Sequence, residues 1–140
     1  MTEIINQQRK IKVETSVFEQ FAQEAAEQLA GGKYATIVFV SDKKMKELNR
    51  DFRGKNTTTD VLSFPYERDE FETDEHFLGD IVVSLEQAAR QAAENGLTLE
   101  LEVKQLILHG ILHLLDYDHE TDQGEMNELE LQWREKLGIN

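Results

Sequence analysis

Four histidines occur in 140 residues, and three of them fall within the run His109-Gly-Ile-Leu-His113-Leu-Leu-Asp-Tyr-Asp-His119. A helix advances about 3.6 residues per turn, so His109 and His113 stack on one face, and His119 can fold back towards them once the helix ends. Neutral imidazole is the commonest protein ligand for zinc. A three-histidine set leaves the fourth tetrahedral corner open for water, which is the catalytic rather than the structural arrangement. The spacing therefore predicts one zinc ion per chain, held by His109, His113 and His119. Ordinary polar helix positions are the plain alternative. Two histidines at helical spacing followed by a third in a polar turn argue against it.

Metzincin peptidases use the same spacing, with a glutamate after the first histidine and a glycine between the second and third. Gly110 stands where that glutamate would be, which removes the general base for peptide hydrolysis. Asp116 stands where the glycine would turn the chain out of the helix. Aspartate tolerates the left-handed conformation better than most residues with a side chain, so the turn remains open to it.

The run His109-Gly-x-Leu-His113-Leu-x-x-Tyr-Asp-His119 resembles the signature of the YbeY family, bacterial single-domain metal-dependent endoribonucleases of ribosomal RNA maturation. Two upstream stretches match the family as well, Arg53-Gly-Lys-Asn-Thr-Thr-Thr-Asp-Val-Leu-Ser-Phe-Pro65 and Leu78-Gly-Asp-Ile-Val-Val-Ser84. The family usually has glycine at the position of Asp116, a departure that removes no ligand. The resemblance implies a single-strand-specific, zinc-dependent endoribonuclease of ribosomal RNA maturation and ribosome quality control, with RNA and a ribosome or ribosomal protein as partners. It also puts Arg53 at the family's functionally important arginine. Two alternatives stay open: a metal-dependent hydrolase of another class such as a peptidase, and a non-catalytic ribosome-associated module with a structural metal.

Phosphodiester cleavage needs a nucleophile and a group that stabilises charge on phosphorus. Zinc lowers the pKa of a bound water to about 7 and can polarise a phosphoryl oxygen. A planar guanidinium pairs bidentately with phosphate, so Arg53, beside a polar loop, is the expected phosphate clamp, and His109 and Arg53 are the expected catalytic residues. Without a glutamate at position 110, the base is left to the metal site, to a ribose 2′-hydroxyl, or to one of Asp60, Asp80, Asp116 and Asp118. Asp60 and Asp80 can equally serve as cap or turn residues, and Asp118 can orient an imidazole from behind. Thr59 and Ser63 can line the cleft, although hydroxyls in such positions more often satisfy backbone groups. His76 reads as exposed.

These side chains must be carried by a fold. β-branched residues predict a strand in the later part of Ile4 to Val13, and Thr15 or Ser16 can cap a helix that Gly31-Gly32 stops. Tyr34 to Val40 is almost wholly apolar and suits a central strand buried on both faces. Ser41 or Asp42 caps a helix with Met45, Leu48 and Phe52 as its inward stripe, ending at Arg53-Gly54. Val61 to Phe64 is a short strand stopped by Pro65, the acidic segment from Glu67 to His76 is a loop, and Phe77 to Val83 is a further strand. Ser84 caps a helix closed by Asn95-Gly96. Thr98 opens the histidine helix, which is apolar around most of its circumference and should be largely buried. A last helix from about Gln123 to Leu137 presents Met126, Leu129, Trp133 and Leu137 to the core. The expected fold class is α+β: a small mixed sheet of about four strands, most helices packed on one face, and a zincin-like metal helix.

The length suits one domain over residues 1–140, with charged residues at 31% and hydrophobic ones at 39%. With no cysteine, disulfides, thiolate sites and thiol nucleophiles are excluded. No apolar run approaches the roughly 20 residues that cross a bilayer, so the expectation is a cytoplasmic protein without a membrane partner; oligomeric state is left undetermined. The net charge of −13 argues against broad affinity for nucleic acid. Lys43, Lys44, Lys46, Arg50, Arg53 and Lys55 nevertheless cluster, while acids gather from Asp69 to Asp80 and from Asp116 to Glu135, which predicts a bipolar potential. A solvated helix face is the plain reading of the basic cluster.

Overall fold

The computed structural model describes residues 2–66, 76–115 and 124–140. Its strands are β1 (Glu3–Asn6), β2 (Tyr34–Val40), β3 (Val61–Pro65) and β4 (Phe77–Ser84). Its helices are α1 (Thr15–Ala30), α2 (Asp42–Arg53), α3 (Leu85–Asn95), α4 (Leu99–Leu114) and α5 (Glu125–Lys136). The four strands form one mixed sheet in the order β1-β2-β4-β3, parallel except for β3, which runs antiparallel to β4 on one edge. This is the α+β architecture that the pattern predicts.

The period of two along the strands separates the faces. Ile37, Phe39, Ile81 and Val83 point to one side and join α1, α3, α4 and α5 in the main core. Val40, Leu62 and Val82 point to the other side, where Met45 of α2 covers them. Ten of the sixteen residues of α4 are buried, including Ile107, Leu108, Ile111 and Leu112, so the helix carrying the histidines is embedded rather than laid on the surface. Each such side chain contributes on the order of 1.5–3 kcal/mol by leaving water. Gly110 lets α4 approach β4: a Cβ built there would lie 2.7 Å from Cγ2 of Ile81.

Caps behave largely as expected. Ser41, Ser84 and Thr98 accept from the backbone N–H of Lys44, Gln87 and Leu101 and open α2, α3 and α4. α1 differs: Glu14 occupies its N-cap without a side-chain bond, and neither Thr15 nor Ser16 caps it. The first strand also lies earlier than predicted. After Asn6 the side chain of Gln8 donates to Ile11 O at 2.7 Å and accepts from Ile11 N at 2.9 Å, folding residues 8–11 into a turn in place of a strand. Phe52 departs from the predicted inward stripe of α2. Met45 is fully buried, Leu48 is half-buried and Phe52 is 65% exposed.

Candidate active site

α4 holds the first two histidines on one face, as their spacing requires. His113 Nε2 lies 2.9 Å from His109 Nε2, with ring centroids 4.4 Å apart. Two ring nitrogens facing each other at that distance share either a proton or a cation. His109 Nδ1 faces Glu130 Oε1 at 2.5 Å, a geometry in which the carboxylate accepts Nδ1–H and leaves the Nε2 lone pair directed at His113. Glu130 is buried at 7% exposure and is held in turn by Arg134 Nη2, which donates to Oε2 at 2.9 Å. Burial works to raise the Glu130 carboxyl, but the hydrogen bond from His109 and the charge and hydrogen bond of Arg134 outweigh it and hold it below the ordinary glutamate range.

A carboxylate behind a ligating imidazole is the usual support for a metal site, and imidazole nitrogens suit zinc. Two nitrogens on one tetrahedral zinc would sit about 3.3 Å apart, so the observed pair needs to open by only a few tenths of an ångström. The donor set therefore fits a cation of this kind. Among the described residues no group of three or more histidines or carboxylates is arranged to hold a metal. The predicted third ligand, His119, lies outside the described residues, as do Asp116 and Asp118.

Arg53, Thr59, Asp60, Ser63, His109 and His113 line one cavity of about 330 Å³, which brings the predicted phosphate clamp beside the predicted metal ligands. Gly54 adopts φ 69° and lets α2 end at Arg53, its N–H returning to Arg50 O. The loop that follows is tied down along its length. Asn49 Nδ2 donates to Thr57 O at 2.8 Å, and Asp42 Oδ1 accepts from Thr58 Oγ1 at 3.2 Å and from Ser84 Oγ at 2.7 Å. Asp60 Oδ1 accepts from Val61 N at 2.7 Å. Oriented to donate, the Gln91 amide reaches Asp60 Oδ2 and Glu102 Oε1 at 3.2 Å each. Asp60 is thus a turn residue that also faces the cleft. Thr59 and Ser63 line the cavity as predicted, with Ser63 Oγ turned to Gly110 O at 3.5 Å.

Asp80 does not join this group. It precedes Ile81 of the α4 side, so strand alternation turns it to the α2 side of the sheet, where burial pushes its carboxyl up. Three residues escape prediction. Glu130 and Arg134 come from α5, twenty-one and more positions beyond His109, although the i, i+4 spacing of Met126 and Glu130 does put both on the inward face. Glu102 reads as an ordinary acidic residue of a first helical turn, yet it is 5% exposed. It lines a second cavity of about 650 Å³ together with Asp60, Glu94, His109, Glu130 and Arg134, so Asp60 and His109 border both cavities.

Comparison with known proteins adds three findings. The family model described as endoribonuclease YbeY matches residues 3–138. Proteins named endoribonuclease YbeY from Solibacter usitatus and Clostridioides difficile are 45% and 49% identical, over 86% and 74% of this chain and 78% and 71% of their own lengths. A solution structure of a Thermotoga maritima protein superposes with a TM-score of 0.67 at 31% identity, covering 98% of this chain and 89% of that one.

Proposed function

Because the chain belongs to the endoribonuclease YbeY family, we propose that it is a zinc-dependent endoribonuclease that cuts single-stranded ribosomal RNA during its maturation. The observation that carries the reading is the meeting of His109 and His113 at their Nε2 atoms inside a cavity that Arg53 shares. His109 and His113, with His119 as third ligand, would hold the zinc, and the chemistry it supplies when bound is Lewis-acidic: polarising a phosphoryl oxygen and acidifying water near neutral pH.

The remaining work falls to side chains. Arg53 donates its fork of N–H groups to the non-bridging oxygens of the scissile phosphate and offsets the charge that builds up there. Glu130 holds the Nδ1 proton of His109 and so fixes the tautomer and direction of the ring. Among the described residues Asp60 is the carboxylate lining the same cavity, available to take a proton from the attacking hydroxyl. The peptidase alternative is disfavoured at position 110, where even a Cβ meets Ile81 and a glutamate base has no room. Ribosomal RNA as substrate implies a cytoplasmic site of action, with a ribosome or ribosomal protein as partner.

The test is cleavage of a single-stranded ribosomal RNA fragment by wild-type, His113→Ala and Arg53→Ala proteins that retain wild-type circular dichroism, alongside elemental analysis for zinc. Loss of one charge-stabilising donor typically lowers turnover about 10²–10³-fold. Arg53→Lys should recover little of it, because a point charge does not replace a bidentate fork. Unchanged cleavage in either alanine variant ends this reading.

A further inference from the structure

Phe52 is at odds with its own helix. The stripe formed by Met45, Leu48 and Phe52 goes from fully buried to 65% exposed within two turns, and the last turn of α2 ends beside β3, the edge strand of the sheet. The ring is nevertheless not loose. Phe64 of β3 packs edge-on against it, with centroids 5.1 Å apart and planes at 69°, which fixes its tilt and leaves aromatic surface open to solvent.

Cations outnumber acids along its helix, and the residue that follows it borders the site. Arg53 and Ser63 line the cavity that holds the two histidines, whereas Phe64, and Phe52 against it, sit on the α2 face of the sheet, so that Arg53, next to Phe52 at the end of α2, links the ring to the site. Lys55, in the loop just past the helix, is exposed, and so are Lys43, Lys46 and Arg50 along α2, with Arg50 paired to Asp51 at 3.1 Å. In a chain of net charge −13 this is the longest run where cations dominate. A fixed, exposed aromatic ring beside a phosphate-binding arginine is the arrangement by which single-stranded nucleic acid is gripped: backbone on the cations, base on the ring.

We propose that Phe52, buttressed by Phe64, is a stacking platform for a nucleobase of single-stranded RNA next to the phosphate engaged by Arg53. The inference deepens the endoribonuclease reading and rests on it for the identity of the ligand. A base locked in a duplex cannot turn its face to the ring, so the platform also selects single strands over double strands. The charge of the flanking residues suits a polyanion rather than an apolar protein surface.

The experiment titrates the full chain into a single-stranded oligoribonucleotide that carries 2-aminopurine, is 2′-O-methylated throughout and is checked intact by gel. Wild-type protein should quench the fluorophore by stacking. Phe52→Ala should bind roughly ten- to hundredfold more weakly with the quench lost, and unmodified RNA should show the same change as a raised KM. Phe52→Trp should bind and quench like wild type, whereas Phe52→Leu, apolar but without a π face, should behave like the alanine variant. Equal binding and quench in wild-type and Phe52→Ala proteins, or full recovery by leucine, overturns the platform, as does a Phe52→Ala defect confined to capture of a protein. Quenching by a wild-type protein that cleaves no RNA leaves the platform standing and removes the nuclease reading. Cleavage with the same KM in both proteins removes the platform alone.

Discussion

Replacing Gly110 with alanine tests how the histidine helix is seated. A glycine inside a helix is ordinarily about 0.5–1 kcal/mol worse than alanine, so on an unencumbered helix the substitution stabilises. Here the new Cβ would lie 2.7 Å from Ile81 Cγ2 and 3.0 Å from Cδ1 and Cγ1, against a normal carbon–carbon contact of about 3.5–4.0 Å. Ile81 has no exposed surface, and its branched Cβ keeps χ1 stiff, so it cannot swing aside. Overpacking of this kind costs about 1–3 kcal/mol, which exceeds the helical gain and leaves Gly110→Ala net destabilising by roughly 1–2 kcal/mol. Urea unfolding followed by circular dichroism reads the change as a lower midpoint at constant m. Ile81→Ala alone should cost about 2–5 kcal/mol, but in that background the obstruction is gone and Gly110→Ala should raise stability. The sign must therefore reverse between the two backgrounds. If Gly110→Ala stabilises the wild-type protein, or changes stability by the same amount in both, the close approach of α4 to β4 is wrong, and with it the argument that position 110 excludes a glutamate base.

Glu130→Gln keeps the shape of the side chain but weakens its hold on His109 Nδ1–H; zinc affinity measured by chelator competition should fall about 10–100-fold with the melting temperature of the metal-free protein changed far less, and unchanged affinity would refute the support role. Asp42 gives a pH prediction. Burial tends to raise its carboxyl, but hydrogen bonds from Ser84, Arg90 and Thr58 and the charge of Arg90 overcome this and hold it below the ordinary aspartate value of 3.8. A folded-state pKa below the unfolded one adds stability that is present above the unfolded value and disappears as pH falls through the folded one. Asp42→Asn should therefore be less stable than wild type at pH 7 and converge with it below about pH 4; a gap in urea midpoint that stays constant into acid would contradict the assignment.

Local signals sufficed where local physics decides the outcome. Ser41, Ser84 and Thr98 announce helix starts because a side-chain oxygen satisfies an orphan N–H within the same turn, and Gly54 and Gly96 announce ends because few other residues adopt the left-handed cap. His109 and His113 are legible for the same reason, four residues apart on one helix. Features that depend on a partner from elsewhere in the chain were not. The turn at residues 8–11 is local, but it is made by the Gln8 side chain, which no strand or helix periodicity flags. Asp80 sits in a matching motif, yet its side of the sheet follows from strand alternation and from which helices cover each face. Phe52 keeps the inward spacing but lies in the last turn of α2 beside the edge strand, so the pattern is right and the burial is not.

A chain of net charge −13 that acts on a polyanion has to confine its attraction to one approach. Screening limits each charge to about 8 Å at physiological ionic strength, so what a strand meets at the cleft matters more than the total. On one side of His109 the cavity is lined by Asp60, Glu94, Glu102 and Glu130 with Arg134 as the counter-charge, an environment that repels a phosphate. On the other side Arg53 shares a cavity with the same histidine and with Asp60, which borders both spaces, and the lysines of α2 precede Arg53 in the chain. Under the endoribonuclease reading, the scissile phosphate approaches from the Arg53 side of His109. With few cations to neutralise its backbone, such a strand gains little from phosphate contacts alone, and stacking on an exposed ring supplies binding that does not depend on net charge. The acidic composition and the exposed Phe52 then answer one requirement: to hold single-stranded RNA at a metal site without retaining nucleic acid indiscriminately.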